Sequence, residues 1–243
     1  MTQATSSIIL STASSEVALP GGAVVTLKVS PTARVMRLRV DSRTGGVSLT
    51  VPRRVSRRRA IEWAAGHRQW IEQALAKVPE RVALGPGSPV PLYGVPHVLD
   101  WNPERPRSIT VREGRLVAGG PLDGLEARVL RWLKRHALDT LARETRELAA
   151  NAGLKVSKVG VGDPVSRWGS CSSSGAIRYN WRLILAPEFV RRATVAHELA
   201  HLVHMNHGPQ FHALVETLLG ADPKPARTWL RSHGSALHRI GAS

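Results

Sequence analysis

Apolar and polar positions alternate with period two through residues 24–29, 35–40 and 47–51, which predicts three short strands. Met36, Leu38 and Val40 fall on one face and Arg37 and Arg39 on the other, while the Asp-Ser-Arg-Thr-Gly-Gly stretch at 41–46 suits a hairpin connection. From Ser56, a good N-cap, the period lengthens. Ile61, Ala64, Ile71, Leu75 and Val78 then mark one stripe of a helix over 56–78, widened by Trp63 and Trp70 in a core-packing role. Gly and Pro punctuate 85–89, and four more strands are predicted near 90–93, 97–101, 108–112 and 116–118, with turn chemistry at 102–106 and at Glu113-Gly114. Leu125, Val129, Leu133, Ala137, Leu141 and Leu148 then repeat at helical spacing, predicting a long helix over 123–150 that Gly153 ends. Strands at 155–161 and 176–185 follow, joined through a turn at 172–175. Helices over about 187–205, 209–219 (closed by Gly220) and 225–232 complete the chain.

This pattern describes an α+β protein. A loose tail covers 1–20, a β-rich half with one long helix covers 21–120, and a half built on helices and a small sheet covers 121–243. The Ser/Thr/Ala-rich tail lacks a basic start and a continuous apolar core, so it does not read as a signal peptide. No stretch has the apolar length that spans a membrane, and no internal repeat is visible. With 243 residues, 42% of them hydrophobic, the chain can bury a sizeable core. Cys171 is the sole cysteine, so no internal disulfide can form, and a cytoplasmic setting is expected.

Chemistry concentrates between residues 197 and 207. His197 and His201 are four residues apart in a helical run, which stacks both imidazoles on one face within reach of a single ion. Glu198 directly follows the first, completing an H-E-x-x-H pattern; it sits about 100° round the helix, where a carboxylate can act as general base. Asn206, Gly208 and Pro209 break the helix, and a turning chain can return His207 to the same ion. Three protein ligands are the catalytic form of a zinc site; a closed structural site would need a fourth, usually from cysteine. The expectation is Zn2+ held by His197, His201 and His207 with Glu198 as base. His204 and His212 are left outside that set.

The segment His197 to Phe211, reading H-E-L-A-H-L-V-H-M-N-H-G-P-Q-F, resembles the metal-binding segment of the YgjP-like metal-dependent hydrolases, relatives of the SprT and WLM zincin metalloproteases. Arg167-Trp168-Gly169-Ser170-Cys171-Ser172, followed by Ile177-Arg178-Tyr179-Asn180-Trp181-Arg182-Leu183, is similar to that family's second signature, and the resemblance runs over about 30–235. One departure is His212, where such proteins often carry tryptophan. The histidine spacing also equals that of metzincins, but His204 stands where they carry glycine and no Met-turn methionine follows Met205, which excludes that subclass. The resemblance implies a zincin-like catalytic half at 121–243 and favours peptide-bond hydrolysis of a polypeptide substrate. The residues alone leave carbonyl and phosphoryl targets open. Arg167, Arg178, Tyr179 and Asn180 are the substrate-binding candidates, since a strand beside the metal helix can bind an extended chain.

Charge adds a further expectation. There are 34 Lys and Arg against 18 Asp and Glu, a formal net charge of +16, which attracts polyanions. Arg53, Arg54, Arg57, Arg58 and Arg59 crowd the start of the first helix and are the candidate nucleic-acid contacts. Two other classes therefore stay open: a metal-dependent nucleotide or phosphate-ester hydrolase, and a basic nucleic-acid-binding module whose metal site is not catalytic.

Overall fold

A computed structural model describes residues 14–19, 22–41, 45–78 and 80–241. The chain divides into two units, residues 1–79 and 80–243. In the first, β1 (Ser14–Ala18), β2 (Val24–Ser30), β3 (Arg37–Val40) and β4 (Val47–Pro52) form a sheet in the order β1-β2-β4-β3. β2 and β4 run parallel with Val25 opposite Val47 and Leu27 opposite Leu49, so their alternating apolar residues fall on the same face. That face shares a core with Ala60 and Ala64 of α1 (Arg57–Gly66) and Ile71 of α2 (Arg68–Ala76). Two expectations change here. Residues 14–18, read as tail, pair with β2, and Val17 packs on the core; the polar Ser and Glu beside it hid the pattern. Tail residues 1–13 and 20, and residues 42–44 of the hairpin turn, lie outside the described residues. The single helix expected over 56–78 is two. Gly66 is a poor helix former, and at His67 the N–H donates to the Ala64 carbonyl at 3.0 Å, tightening the chain out of the α-helical ladder.

In the second unit β5 (Pro89–Leu92), β6 (Val95–Trp101), β7 (Thr110–Arg112) and β8 (Arg115–Ala118) make a sheet in the order β5-β6-β8-β7. Strand order and pair senses match the first sheet: outer pairs antiparallel, central pair parallel. The repetition is one of topology, carried by spacing of apolar positions and turns, which is why it is invisible as residue similarity. Val90, Leu92, Leu99 and Leu116 share one core with Leu125, Val129 and Leu133 of α3 (Leu125–Asn151). The unit boundary therefore falls at residue 79 and not at 120: the apolar face of this sheet is buried by the helix that follows it.

Around α3 lie a second sheet and three helices. β9 (Lys158–Gly162), β10 (Gly169–Cys171) and β11 (Ala176–Asn180) pair in the order β10-β11-β9, leaving β10 at one edge. β10 was not foreseen, since Gly-Ser-Cys has little strand propensity and owes its form to pairing with β11. The strand expected over 176–185 stops at Asn180, whose Oδ1 accepts from the Arg182 N–H at 2.9 Å and caps a buried 3-10 turn, Trp181–Leu185. Here the Tyr93-Gly94 hairpin turn docks, its N–H groups donating to the carbonyls of Ile184 (2.8 Å) and Leu185 (3.1 Å). Gly94 has a φ of +79°, and a Cβ there would lie 2.7 Å from Cγ of Pro187, so glycine is required where this turn meets the start of α4 (Glu188–Ala200). Arg191 of α4 forms a buried ion pair with Glu144 of α3, Nε donating to both carboxylate oxygens at 2.9 Å, which holds α4 in register on α3. The remaining helices are α5 (Pro209–Leu219) and α6 (Lys224–Arg239). α6 runs beyond the expected 225–232 and through Gly234, where the Trp168 ring packs; a Cβ there would be 2.8 Å from its Cζ2. Among the described residues no helix is long and apolar enough to cross a membrane.

Candidate metal centre

α4 ends at Ala200, five residues before the expected end, and this positions the histidines. His201 caps the helix, the N–H groups of Val203 and His204 fold back onto the Ala200 carbonyl (3.1 and 2.9 Å), and the chain reverses before α5 starts at Pro209. His207 is thereby carried back over α4, its Nε2 3.2 Å from His197 Nε2. The ligand-capable nitrogens of His197, His201 and His207 all lie within 4.8 Å of one another, and among the described residues no other such group of three occurs. Phe211, fully buried on α5, is the platform beneath them, its ring centroid 4.9, 4.6 and 4.6 Å from the three imidazoles.

The donor set suits zinc. The Nε2 atoms of His207 and His197, 3.2 Å apart, are within hydrogen-bond distance, and the same spacing suits two ligands of one cation once both are unprotonated. A tetrahedral zinc site with Zn–N bonds of about 2.0–2.1 Å places its nitrogens about 3.3 Å apart. His201 Nδ1 donates to the His204 carbonyl at 3.2 Å, which leaves Nε2 unprotonated and free to bind metal. Burial, and then the neighbouring His201 and His207, hold His197 down at about 4, so it is neutral at physiological pH. His201 is lowered as well, first by burial. Metal binding needs this neutral form.

Glu198 packs against β10. It is 5% exposed, and burial pushes its carboxyl up to about 7 although Arg167 pulls it back. Gly169 makes this close approach possible, since a Cβ there would stand 2.6 Å from both Cγ and Cδ of Glu198. A cavity of about 240 Å³ opens beside His197 and Glu198, with Arg167, Trp168 and Gly169 on one side and residues of α5 and α6 on the other.

The substrate-binding candidates are dispersed. Arg167 lines this cavity. Arg178 is exposed and lines a separate groove with Ser170 and Cys171. Tyr179 is fully buried with its hydroxyl 2.9 Å from Thr145 of α3, and burial raises its pKa, so it is a core residue and not an oxyanion donor. Asn180 is likewise inside, its amide donating to the Pro164 carbonyl at 2.8 Å. The strand alternation that points Arg178 outward turns Tyr179 inward. Arg53, Arg54, Arg57, Arg58 and Arg59 are all exposed in the first unit, where Arg58 pairs with Glu62 at 2.9 Å and Arg57 donates to Ser15 at 3.0 Å. Burial raises the Cys171 thiol, which removes the reactive thiolate. Sequence reasoning missed Phe211 and Arg227. The first stood inside the metal-binding segment as an aromatic four residues past His207; the second carried no signal, because only the packing of α6 brings it to the cavity.

A three-imidazole cluster with a buried carboxylate close by, in a unit of mixed helices and small sheets, has the donor set that a metal-dependent hydrolase requires. The family model described as YgjP-like, metallopeptidase domain, matches residues 34–233, and the chain belongs to this family. No curated protein and no solved structure matches it.

Proposed function

We propose that this protein is a zinc-dependent peptidase in which His197, His201 and His207 hold the ion and Glu198 is the general base. The observation that carries the reading is the histidine cluster together with one buried carboxylate, Glu198, which lines the same cavity as His197 and can there take and return a proton. A bound zinc ion supplies Lewis acidity and an acidic water. Glu198 accepts the proton of the attacking water on its carboxylate and delivers it to the leaving amine nitrogen. Trp168 and Leu230 give the cavity beside the base an apolar wall. β10 is a sheet edge beside α4, where an extended substrate chain can add through backbone hydrogen bonds, and this supports the reading of a zincin-like catalytic half. The lone cysteine supports a cytoplasmic setting.

The test is a screen of the zinc-loaded protein against unfolded polypeptides and nucleoside triphosphates, with Glu198→Gln as control. Peptide cleavage that falls by at least about 100-fold in the variant, with zinc content unchanged, supports the reading. Cleavage of phosphate esters only, or equal turnover in the variant, overturns it.

A further inference from the structure

The cavity beside His197 and Glu198 has two chemical halves. Its wall is apolar, made by Trp168, Ala193, Val215, Ala226 and Leu230. Arg167 and Arg227 also line it; both are exposed, and neither guanidinium has a hydrogen bond or ion pair with any described residue. Some arginines of this unit are paired, as Arg81 is to Glu126 at 2.9 Å and Arg191 to Glu144 at 2.7 Å, and others, such as Arg135 and Arg146, are exposed without such a pair; Arg167 and Arg227 differ in lining one cavity together with Glu198 and His197. Two guanidiniums without a hydrogen bond or ion pair at one concave site, over an apolar wall, suit an anion that also carries apolar surface, with the Glu198 carboxylate, on which Arg167 already acts, as the charge nearest them in the lining. Once the histidines hold a divalent cation the excess of positive charge grows, because Glu198 is the one carboxylate among the lining residues.

We propose that this cavity selects peptides by an apolar side chain and an adjacent carboxylate, the side chain resting on the Trp168, Val215 and Leu230 wall and the carboxylate bridging Arg167 and Arg227. The inference rests on the peptidase reading and assigns its substrate class. The volume, about 240 Å³, admits a side chain of leucine or phenylalanine size, since a cavity of about 150 Å³ already takes benzene. The forked donors of arginine match a planar carboxylate better than an amide, and the apolar wall favours a ligand that covers it over a bare anion. Such a carboxylate has two sources, the C-terminus of a peptide or the side chain of Asp or Glu next to the apolar residue.

Calorimetric binding of small probes to the full chain tests this, with zinc loaded and again after metal removal. The probes are N-acetyl-phenylalanine, its amide, N-acetyl-glutamyl-phenylalanine amide and adenosine monophosphate. The expected result is that an acid-bearing peptide binds at least about tenfold more tightly than the phenylalanine amide in both metal states. The advantage should drop severalfold in Arg167→Gln and in Arg227→Gln and vanish in the double variant, with amide affinity unchanged. A preference for N-acetyl-phenylalanine assigns the C-terminal carboxylate, and one for the glutamyl probe assigns the side chain. Equal affinity for acid and amide, a preference that survives the double variant, no binding of any peptide probe, or tighter binding of the nucleotide would each overturn the proposal. The metal-free measurement needs neither zinc nor turnover, so its outcome is separable from that of the peptidase assay. Both arginines are exposed, and an unchanged thermal unfolding curve verifies that the variants fold.

Discussion

The burial of Glu198 predicts a pH-dependent stability that can be measured without knowing the substrate. In the folded, metal-free protein its pKa is raised from 4.5 to about 7, chiefly by burial. The folded state therefore binds this proton more tightly than the unfolded state. The resulting stabilisation is fully present below pH 4.5 and is lost as pH rises through about 7. Each unit of pKa corresponds to about 1.36 kcal/mol, so the loss amounts to about 3 kcal/mol by pH 8. Glutamine has nearly the same shape and does not ionise, so Glu198→Gln escapes this loss. Parent and variant, both treated with chelator, should be unfolded in denaturant between pH 4 and 8.5. The variant's stability relative to the parent should climb by about 3 kcal/mol across that range, most steeply between pH 5 and 7. The lowered His197 acts in the opposite sense, making the protein less stable as pH falls below 6.5 toward about 4, but it is present in both proteins and cancels in the difference. Saturating zinc should shrink the climb, because a nearby cation favours the carboxylate. Parallel curves from pH 4 to 8.5 in the metal-free proteins would refute the assignment of Glu198 as a desolvated base.

Four further outcomes are expected. Replacing His197, His201 or His207 by Ala should each abolish stoichiometric zinc in metal analysis, whereas His204→Ala should keep it, since its contribution is a backbone carbonyl. Gly169→Ala should retain zinc but cut peptide hydrolysis by about 100-fold, because the added methyl group displaces the Glu198 carboxylate; full activity would remove β10 from the positioning of the base. Arg191→Ala should cost about 3–5 kcal/mol in denaturant unfolding by stranding the buried Glu144 carboxylate, and Arg191→Ala with Glu144→Ala should recover part of that loss. For the exposed arginines of the first unit we propose a role in binding the phosphates of nucleic acid. Changing Arg53, Arg54, Arg57, Arg58 and Arg59 to Gln should then flatten the salt dependence of DNA binding by about one log-log unit for each arginine–phosphate pair removed, and an unchanged slope would leave the charge without that role.

What the sequence determined by itself is what depends on short-range periodicity. The i, i+4 spacing of His197 and His201 puts two imidazoles on one helical face wherever that helix sits, and Asn206, Gly208 and Pro209 bar the helix from running past them, although its actual end at Ala200 was not legible. The same locality made most strands and α3 legible from apolar alternation and turn residues. Tertiary structure decided whatever depends on partners distant in the chain. β10 is a strand only because β11 pairs with it, and Gly169 stands beside Glu198 only because that pairing lays β10 along α4. Tyr179 became a core residue and not a site residue because the pleat of β11 turns it onto Thr145, 34 positions earlier. The domain boundary moved to residue 79 because the sheet of β5–β8 has no core of its own without α3. Arg227 reached the cavity from another helix altogether. The first two ligands can be spelled out along one stretch of chain because one turn of helix spans the distance between them, whereas His207 reaches them through the chain reversal after Ala200. The surface that recognises a substrate is assembled from elements with no such local constraint, and only the packed fold brings them together.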